Sequence, residues 1–196
     1  MIVLIDNYYS FSYNLYQLVG SIRPDVTVIR NDKITVPELE KMKPDAVILS
    51  PGPGRPEAAG ICIETIQKLG KTVPVFGVCL GHQAICRAYG AEISYAKRLM
   101  HGKVSQIEAD ADSRLFHGME ERFDVGRYHS LAAVPETMPK ELKITAKTAD
   151  GEIMAVEHET DPVFGVQFHP ESILTPKGRA IVENFFRAVQ ERADNA

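Results

Sequence analysis

The stretch VPVFGVCLGHQA, residues 73–84, decides the fold of this chain because a strand pattern in it runs directly into a helix pattern. Residues 73–78 form an apolar, valine-rich run of strand length. From Leu80 onward, apolar residues recur at helical spacing until Gly90 ends the pattern. Only Gly77-Val78-Cys79-Leu80-Gly81 joins the two, which predicts a sharp strand–turn–helix junction. Such a unit is the building block of an α/β fold with a parallel sheet.

The same alternation of strands and helices precedes this stretch. Three earlier strands are predicted over residues 1–6, 26–30 and 46–49. Helical spacing of apolar residues falls between them, first around Leu15 behind a Ser10 cap and again over residues 61–69. This order predicts βαβ units, with helices on both faces of the sheet.

A β-rich half follows from about residue 92. Strand patterns there cover residues 103–108, 122–128, 142–147, 152–157 and 163–168. Asp150-Gly151 has the sequence of a hairpin turn, and a last helix is predicted to start near Pro176. No linker or repeat divides the chain, so we predict one domain over residues 1–196. Its expected fold class is α/β, flavodoxin-like and doubly wound, with a mostly parallel central sheet.

Composition narrows the function classes. The 196 residues are 44% hydrophobic and 24% charged, which suits a globular domain. A net charge of -4 gives no basic footprint for nucleic acid, and no apolar run has the length of a membrane span. The opening run, residues 1–6, reads as a strand rather than a signal peptide. Three cysteines without a paired spacing favour a reducing cytoplasm.

Cys79 is the candidate nucleophile. Its flanking glycines and its place between strand and helix match the G-x-nucleophile-x-G elbow, with cysteine in place of serine. A helix N-terminus also favours the thiolate, which is the reactive form. The alternatives are a buried structural cysteine or a zinc site built from Cys79, His82 and Cys86, for which no fourth ligand is evident. Cys62 and Cys86 lie on apolar helix faces, so we interpret them as core.

A general base and a group that orients it are expected at the end of the last strand. His169 ends the apolar run 163–168 and is followed by Pro170 and Glu171. Proline favours extended geometry before it, and residues two apart in an extended chain point to the same side. Glu171 can therefore approach one imidazole nitrogen while the other faces the sulfur. The alternative is a strand-end turn with a solvated acid.

Residues 50–54, Ser-Pro-Gly-Pro-Gly, follow another buried strand and can form an oxyanion loop. Prolines fix the backbone and glycines let a substrate approach closely. The second oxyanion donor would be the Leu80 N–H, directly after the nucleophile. A tight turn is the alternative, and a phosphate cradle is disfavoured because no Gly-Lys-Ser/Thr follows.

Taken together, these segments resemble the class I (triad) glutamine amidotransferases. The resemblance spans nearly the whole chain and rests on residues 5–8, 50–56, 77–84, 100–103, 127–131 and 165–172. Ser-Pro-Gly-Pro-Gly, Met-His-Gly-Lys and Arg-Tyr-His-Ser-Leu resemble one branch in particular. That branch holds the glutaminase subunits of anthranilate synthase (component II) and of aminodeoxychorismate synthase.

The resemblance implies roles for individual residues. Cys79 would attack the amide of L-glutamine to give a thioester and ammonia, and His169 would transfer protons while Glu171 orients it. The residues that would bind substrate are Gly52, Pro53, Gly54, Leu80, Gln83, Ser130 and Leu131, with Gly52 and Leu80 at the oxyanion.

A separate synthase subunit is expected to use the ammonia. The sequence carries no Walker loop, dinucleotide fingerprint or second large domain that could activate an acceptor. The resemblance implies a chorismate-binding partner, either anthranilate synthase component I or aminodeoxychorismate synthase component I, and Mg²⁺ in that partner. We expect no cofactor or metal in this chain. The competing hypotheses are a stand-alone γ-glutamyl hydrolase and a non-catalytic binding module.

Overall fold

A computed structural model describes residues 1–194, and in this range the chain forms eleven strands and five α-helices. The strands are β1 Ile2–Asp6, β2 Val26–Arg30, β3 Ala46–Leu49, β4 Val75–Val78, β5 Ile93–Tyr95, β6 Lys103–Ala109, β7 Arg122–Arg127, β8 Leu131–Ala133, β9 Leu142–Thr148, β10 Ile153–His158 and β11 Val163–Val166. The helices are α1 Ser12–Gly20, α2 Val36–Lys41, α3 Cys62–Leu69, α4 Leu80–Ala88 and α5 Gly178–Asp194. Short 3₁₀ turns lie at Pro56–Ala58 and Pro135–Thr137.

Nine of the strands described within residues 1–194 form one sheet, in the order β2-β1-β3-β4-β11-β10-β9-β6-β7. The first five pair in parallel, which is the flavodoxin-like arrangement with β11 in the fifth place. From β11 to β7 every pairing is antiparallel. The predicted α/β sheet with a β-rich second half is therefore confirmed.

Helices cover both faces of the parallel half, as predicted. Apolar side chains alternate along β1 and β3, so Leu4 and Ile48 pack in one core and Val3 and Val47 in the other. The first core also takes α1 and α5, and the second takes α2, α3 and α4. This layering leaves the carboxyl ends of the parallel strands as the edge where side chains from different strands meet.

Three local features differ from the sequence predictions. Helix α1 starts at Ser12 with Phe11 at its N-cap position, so the predicted Ser10 cap is wrong. The Ser12 hydroxyl instead donates to Asp6 at the end of β1 (2.7 Å). Helix α2 and the small β5–β8 ribbon were not predicted, because each has at most six residues and too few apolar positions to show a period. None of the helices in residues 1–194 combines the length and apolar character needed to cross a bilayer.

The β4–α4 junction depends on the absence of a side chain at Gly77. A Cβ atom there would lie 2.4 Å from the backbone C and O of Gly81, so strand and helix could not meet. We predict that Gly77→Ala lowers the free energy of unfolding by about 3 kcal/mol. Denaturant unfolding measures this, and Gly20→Ala is the matched control because nothing lies within 4 Å of its Cβ position. A Gly77→Ala protein as stable as the control would contradict the prediction.

Candidate active site

A cleft of about 330 Å³ opens at the carboxyl ends of β1, β3 and β4. It lies next to the β1–β3 switch point, where open α/β sheets bind ligands. Its lining residues are Tyr8, Tyr9, Ser10, Gly52, Pro53, Gly54, Cys79, Gln83, Tyr128, His129, Ser130 and Leu131. Seven of the residues that the sequence proposed for the site are among them. Leu80 follows Cys79 directly in the chain, His169 lies next to Cys79, and Glu171 is bonded to His169.

Cys79 sits in a strained backbone conformation. Its φ of 53° and ψ of -101° lie outside the regions that side chains other than glycine favour. Two backbone bonds hold it there, from Cys79 N to Val166 O (2.8 Å) and from Gln83 N to Cys79 O (3.0 Å). The residue is 7% exposed, and that exposure is toward the cleft. The junction therefore presents the sulfur to the cleft while the backbone stays fixed.

His169 and Glu171 form a buried pair beside the sulfur. The imidazole Nδ1 lies 2.7 Å from Glu171 Oε1, with both side chains at most 3% exposed. His169 N donates to Gly126 O (3.0 Å), and Thr175 Oγ1 donates to His169 O (2.7 Å), so the turn after β11 is tied to β7. Within the described chain Nε2 has no hydrogen-bond partner that would compete with the sulfur. The carboxylate therefore fixes the tautomer and leaves Nε2 toward Cys79.

The charges around His169 favour its protonated form. Burial alone would lower the pKa of His169, but the thiolate of Cys79 and the carboxylate of Glu171 together raise it to about 10. The rings of Tyr9 and Tyr128 pack against the imidazole at centroid distances of 5.5 and 5.0 Å. The site thus favours an imidazolium at His169 that aromatic side chains shield.

The two other histidines near the site are held neutral. Burial, followed by the charge of Arg127, lowers the pKa of His129 to about 4. Both of its nitrogens are engaged, with Arg127 Nε donating to Nε2 (3.2 Å) and Nδ1 donating to Leu131 O (2.9 Å). Burial lowers the pKa of His82 to about 3. Neither imidazole is placed to take a proton from the sulfur.

The remaining cysteines lie in the core. Cys62 and Cys86 are fully buried, and burial raises the pKa of each thiol to about 12. Cys86 Sγ lies 3.8 Å from His82 Nε2, but within residues 1–194 no group of three or more cysteine, histidine or acidic side chains could hold a metal. The sequence alternative of a Cys79–His82–Cys86 zinc site finds no support in this geometry.

The loop after β3 is fixed against the loop after β1 by Asn7. Asn7 N donates to Ser50 Oγ (2.8 Å), and Asn7 Nδ2 donates to Ser50 O (2.7 Å). A Cβ at Gly52 would lie 2.6 Å from Asn7 and 2.8 Å from the Leu80 side chain. Gly52 is therefore pressed between the two loops beside Leu80, where only glycine fits. Leu80 N belongs to the first turn of α4, whose N–H groups have no intrahelical acceptor.

The far wall of the cleft is the start of β8. Leu131 O accepts hydrogen bonds from Gln83 Nε2 (3.0 Å) and from His129 Nδ1 (2.9 Å). Ser130 O accepts from Ala96 N (2.8 Å), so the β5–β8 ribbon supports this wall. Gln83, Ser130 and Leu131 therefore line the same cleft as Cys79, as the sequence proposed.

Sequence reasoning assigned no role to several residues that build this site. Gln167 Nε2 lies 3.5 Å from Cys79 Sγ, Asn7 joins two loops, and Tyr9 and Tyr128 enclose the imidazole. The one sequence signal for these residues is their position, since each lies within three residues of the end of a strand. A larger groove of about 640 Å³ on β6, β7 and β9 has a mixed lining that includes Glu108, Asp110, Arg122 and Lys147 but neither cysteine nor histidine.

Comparisons with known proteins agree with this geometry. The sequence model of the family described as "Glutamine amidotransferase class-I" matches residues 3–189. The chain is 47% identical to the "Aminodeoxychorismate/anthranilate synthase component 2" of Bacillus subtilis, over 97% of this chain and 98% of that protein. It is 49% identical to the "Anthranilate synthase component II" of Haloarcula marismortui, over 94% and 96%.

Solved structures show the same fold. A Thermotoga maritima glutamine amidotransferase superposes with a TM-score of 0.75 at 15% identity, covering 100% of this chain and 98% of that one. A Thermoplasma acidophilum protein described as a component of GMP synthase superposes with a TM-score of 0.87 at 23% identity, covering 99% and 96%. At these identities the likeness is evidence for the fold alone.

The raised pKa of His169 gives a direct prediction for NMR. His169 should carry its second proton below a midpoint near 10 and lose it above, so it is an imidazolium at neutral pH. Histidine-labelled protein would report this midpoint through the ring carbon shifts. Cys79→Ser should lower the midpoint, because burial then opposes Glu171 alone, while His129 should still titrate near 4 as the internal control. A wild-type midpoint at or below 6.5 would refute the ion pair.

Proposed function

The chain belongs to the class-I glutamine amidotransferases, and we propose that it is the glutaminase subunit of a chorismate-using synthase, with Cys79, His169 and Glu171 as its catalytic triad. It hydrolyses L-glutamine to glutamate and delivers the ammonia to a separate synthase subunit. The main support for this triad is the buried His169 imidazole, whose Nδ1 lies 2.7 Å from Glu171 Oε1. Its Nε2 is left free for the sulfur of Cys79, which faces the cleft.

Acylation uses the charges already present at the site. The Cys79 thiolate attacks the side-chain amide carbon, and the carbonyl oxygen becomes an oxyanion. Backbone N–H groups at Gly52 and Leu80 stabilise it, and each donor of this kind contributes about 3–4 kcal/mol. The C–N bond then breaks as the His169 imidazolium protonates the leaving nitrogen, giving ammonia and a γ-glutamyl thioester. A raised imidazole pKa suits this step, since the acid is charged before the reaction begins.

Deacylation reverses the direction of proton transfer. His169, now neutral, takes a proton from water as the water attacks the thioester carbon. The C–S bond breaks, glutamate leaves, and thiolate and imidazolium are restored. Glu171 stays bonded to Nδ1 in both steps and stabilises the imidazolium without taking its proton.

The opposite wall selects glutamine by its amino-acid end. Gln83, Ser130 and Leu131 line the cleft together with Cys79. We assign them to the α-amino and α-carboxylate groups of bound glutamine, with Pro53 and Gly54 beside its side chain. The wall is held by buried bonds to Leu131 O, so it offers fixed polar groups. A site built from buried polar groups discriminates strongly against analogues that leave them unpaired.

The acceptor of the ammonia is assigned to a partner subunit. Relatives that match the chain over nearly their whole length are named as component 2 or component II of anthranilate or aminodeoxychorismate synthases. Such names support a heteromeric complex in which the partner binds chorismate and any Mg²⁺. Ammonia is volatile and mostly protonated in water near neutral pH, so a shielded path between subunits is the efficient arrangement.

Two partners are candidates, anthranilate synthase component I and aminodeoxychorismate synthase component I. We favour the first, which would place the chain in tryptophan synthesis; the second would place it in folate synthesis. The Bacillus subtilis relative carries both names, and this supports a subunit shared by both synthases. Three cysteines without a disulfide support a reducing, cytoplasmic location.

Replacing the nucleophile should separate the two halves of the reaction. In a complex with a chorismate-using partner, Cys79→Ser should reduce glutamine-dependent product formation by roughly a thousandfold or more. Synthesis from added ammonium should be unchanged, because the partner then needs no glutaminase. Product fluorescence measures synthesis from either nitrogen source, and glutamate release measures glutamine hydrolysis. Loss of the ammonium-dependent rate as well would indicate a structural role for Cys79 and contradict the proposal.

Reconstitution should identify the partner. The wild-type chain is mixed with each candidate component I in turn, together with glutamine, chorismate and Mg²⁺, and the aromatic product is identified by mass spectrometry. Anthranilate supports the favoured assignment, aminodeoxychorismate the alternative, and both products a shared subunit. Hydrolysis of γ-glutamyl peptides by the lone chain, with no product from either pair, would overturn the subunit proposal in favour of a stand-alone hydrolase.

A further inference from the structure

We propose that Gln167 is a fixed hydrogen-bond donor to the reacting sulfur, and that Gln83 and the Leu131 carbonyl lock its amide in the donating orientation. This inference rests on the proposed function only for its effect on turnover. Gln167 follows β11 and is fully buried, with its Nε2 3.5 Å from Cys79 Sγ. An amide N–H so placed stabilises a thiolate, which accepts hydrogen bonds, over a thiol.

The orientation of the Gln167 side chain follows from an acceptor whose identity is certain. Leu131 O is a backbone carbonyl and can only accept, so Gln83 must direct its NH₂ group to it (3.0 Å). The same NH₂ group lies 3.2 Å from Gln167 Oε1 and donates its second proton there. With its oxygen engaged in this way, Gln167 has only its NH₂ group to direct at the sulfur.

The Leu131 carbonyl is itself held by a buried ion pair. Arg127 and Glu152 are 3% and 4% exposed and are hydrogen-bonded to each other. Arg127 Nε donates to His129 Nε2, which forces the imidazole proton onto Nδ1 and toward Leu131 O. Glu152 Oε2 is also occupied, by Lys97 N (3.0 Å). A continuous chain of hydrogen bonds thus runs from this ion pair to the nucleophile.

The backbone of Gln167 is equally constrained. Its N–H donates to Met154 O (2.8 Å) on β10, and its neighbour Val166 accepts from Cys79 N. Donor and sulfur are therefore both anchored to β11, one at its end and the other by a backbone hydrogen bond to it, and their separation does not depend on a flexible loop. His169 and Gln167 then approach the sulfur from the same segment of chain, two residues apart.

Alkylation of Cys79 by iodoacetamide, followed over pH by peptide mass spectrometry, tests the proposal without any turnover. Gln167→Met keeps the length of the side chain and removes the donor. We expect its alkylation midpoint to move about one pH unit higher, with a roughly tenfold lower rate at pH values below the wild-type midpoint. Gln67→Met is the control, since Gln67 is exposed and lies outside the network, and it should leave the profile unchanged. A folded Gln167→Met protein with the wild-type profile would overturn the proposal.

A measurement on the wild type keeps the test decisive if Gln167→Met does not fold. The Gln167 side-chain amide resonances should shift with pH at the same midpoint as Cys79 alkylation, and should stop doing so in Cys79→Ser. An amide that does not respond to the sulfur would equally overturn the proposal. Both readouts are independent of glutamine, so failure of the proposed function would leave them intact.

Steady-state kinetics of the complex distinguish two roles for Gln167, as a hydrogen-bond donor to the sulfur or as part of the substrate-binding wall. Gln167→Met should lower kcat for glutamine by about tenfold with little change in KM, because it acts on the thiolate. Gln83→Met should raise KM as well, since Gln83 lines the cleft assigned to the substrate. A Gln167→Met effect confined to KM would assign Gln167 to the binding wall and refute its role at the sulfur.

Discussion

The strained backbone at Cys79 is the constraint on which the rest of the site depends. A residue with a side chain at φ 53° is costly by about 1–3 kcal/mol, and it persists only where its surroundings over-determine it. Here the surroundings are β11, whose Val166 carbonyl accepts from Cys79 N, and two glycines. A Cβ at Gly77 would clash with the backbone of Gly81, and a Cβ at Gly81 would clash with Leu49. The pairing of β4 with β11 is therefore part of what holds the nucleophile in position.

The surroundings of a side chain determine its reactivity at this site, since residues of the same type differ in burial and in the charges next to them. All three cysteines have little solvent-exposed area, yet of the three only Cys79 faces the cleft and the His169 imidazolium. Burial shifts the pKa of His82 and His129 downward, whereas two anionic neighbours shift that of His169 upward. The fold thus separates one acid–base pair from neutral histidines and buried thiols.

The sequence predicted the parallel half well because its signals are local. The strands around residues 46–49 and 73–78 are continuous apolar runs, and the Gly-x-Cys-x-Gly junction is a steric necessity readable from five residues. Helix α2 was missed although Thr35 and Glu38 form a capping box at its start, with Glu38 accepting from the Thr35 N–H and hydroxyl. The β5–β8 ribbon could not be predicted from three-residue strands, since its pairing joins residues almost forty positions apart.

The same distinction between local and distant signals explains what was missed at the site. His169 and Glu171 are two residues apart, so their contact follows from extended geometry alone. Gln167 acquires its contact with the sulfur only through tertiary structure, because 88 residues separate it from Cys79 and 84 from Gln83. Hydrophobic periodicity gives no functional signal for a glutamine at the end of a strand. Its significance appears only when parallel pairing brings the ends of β4 and β11 together, in the register that pairs Val78 with Val166. The antiparallel half then completes the arrangement, since its buried Arg127–Glu152 pair determines which groups on the cleft wall can donate and which can accept.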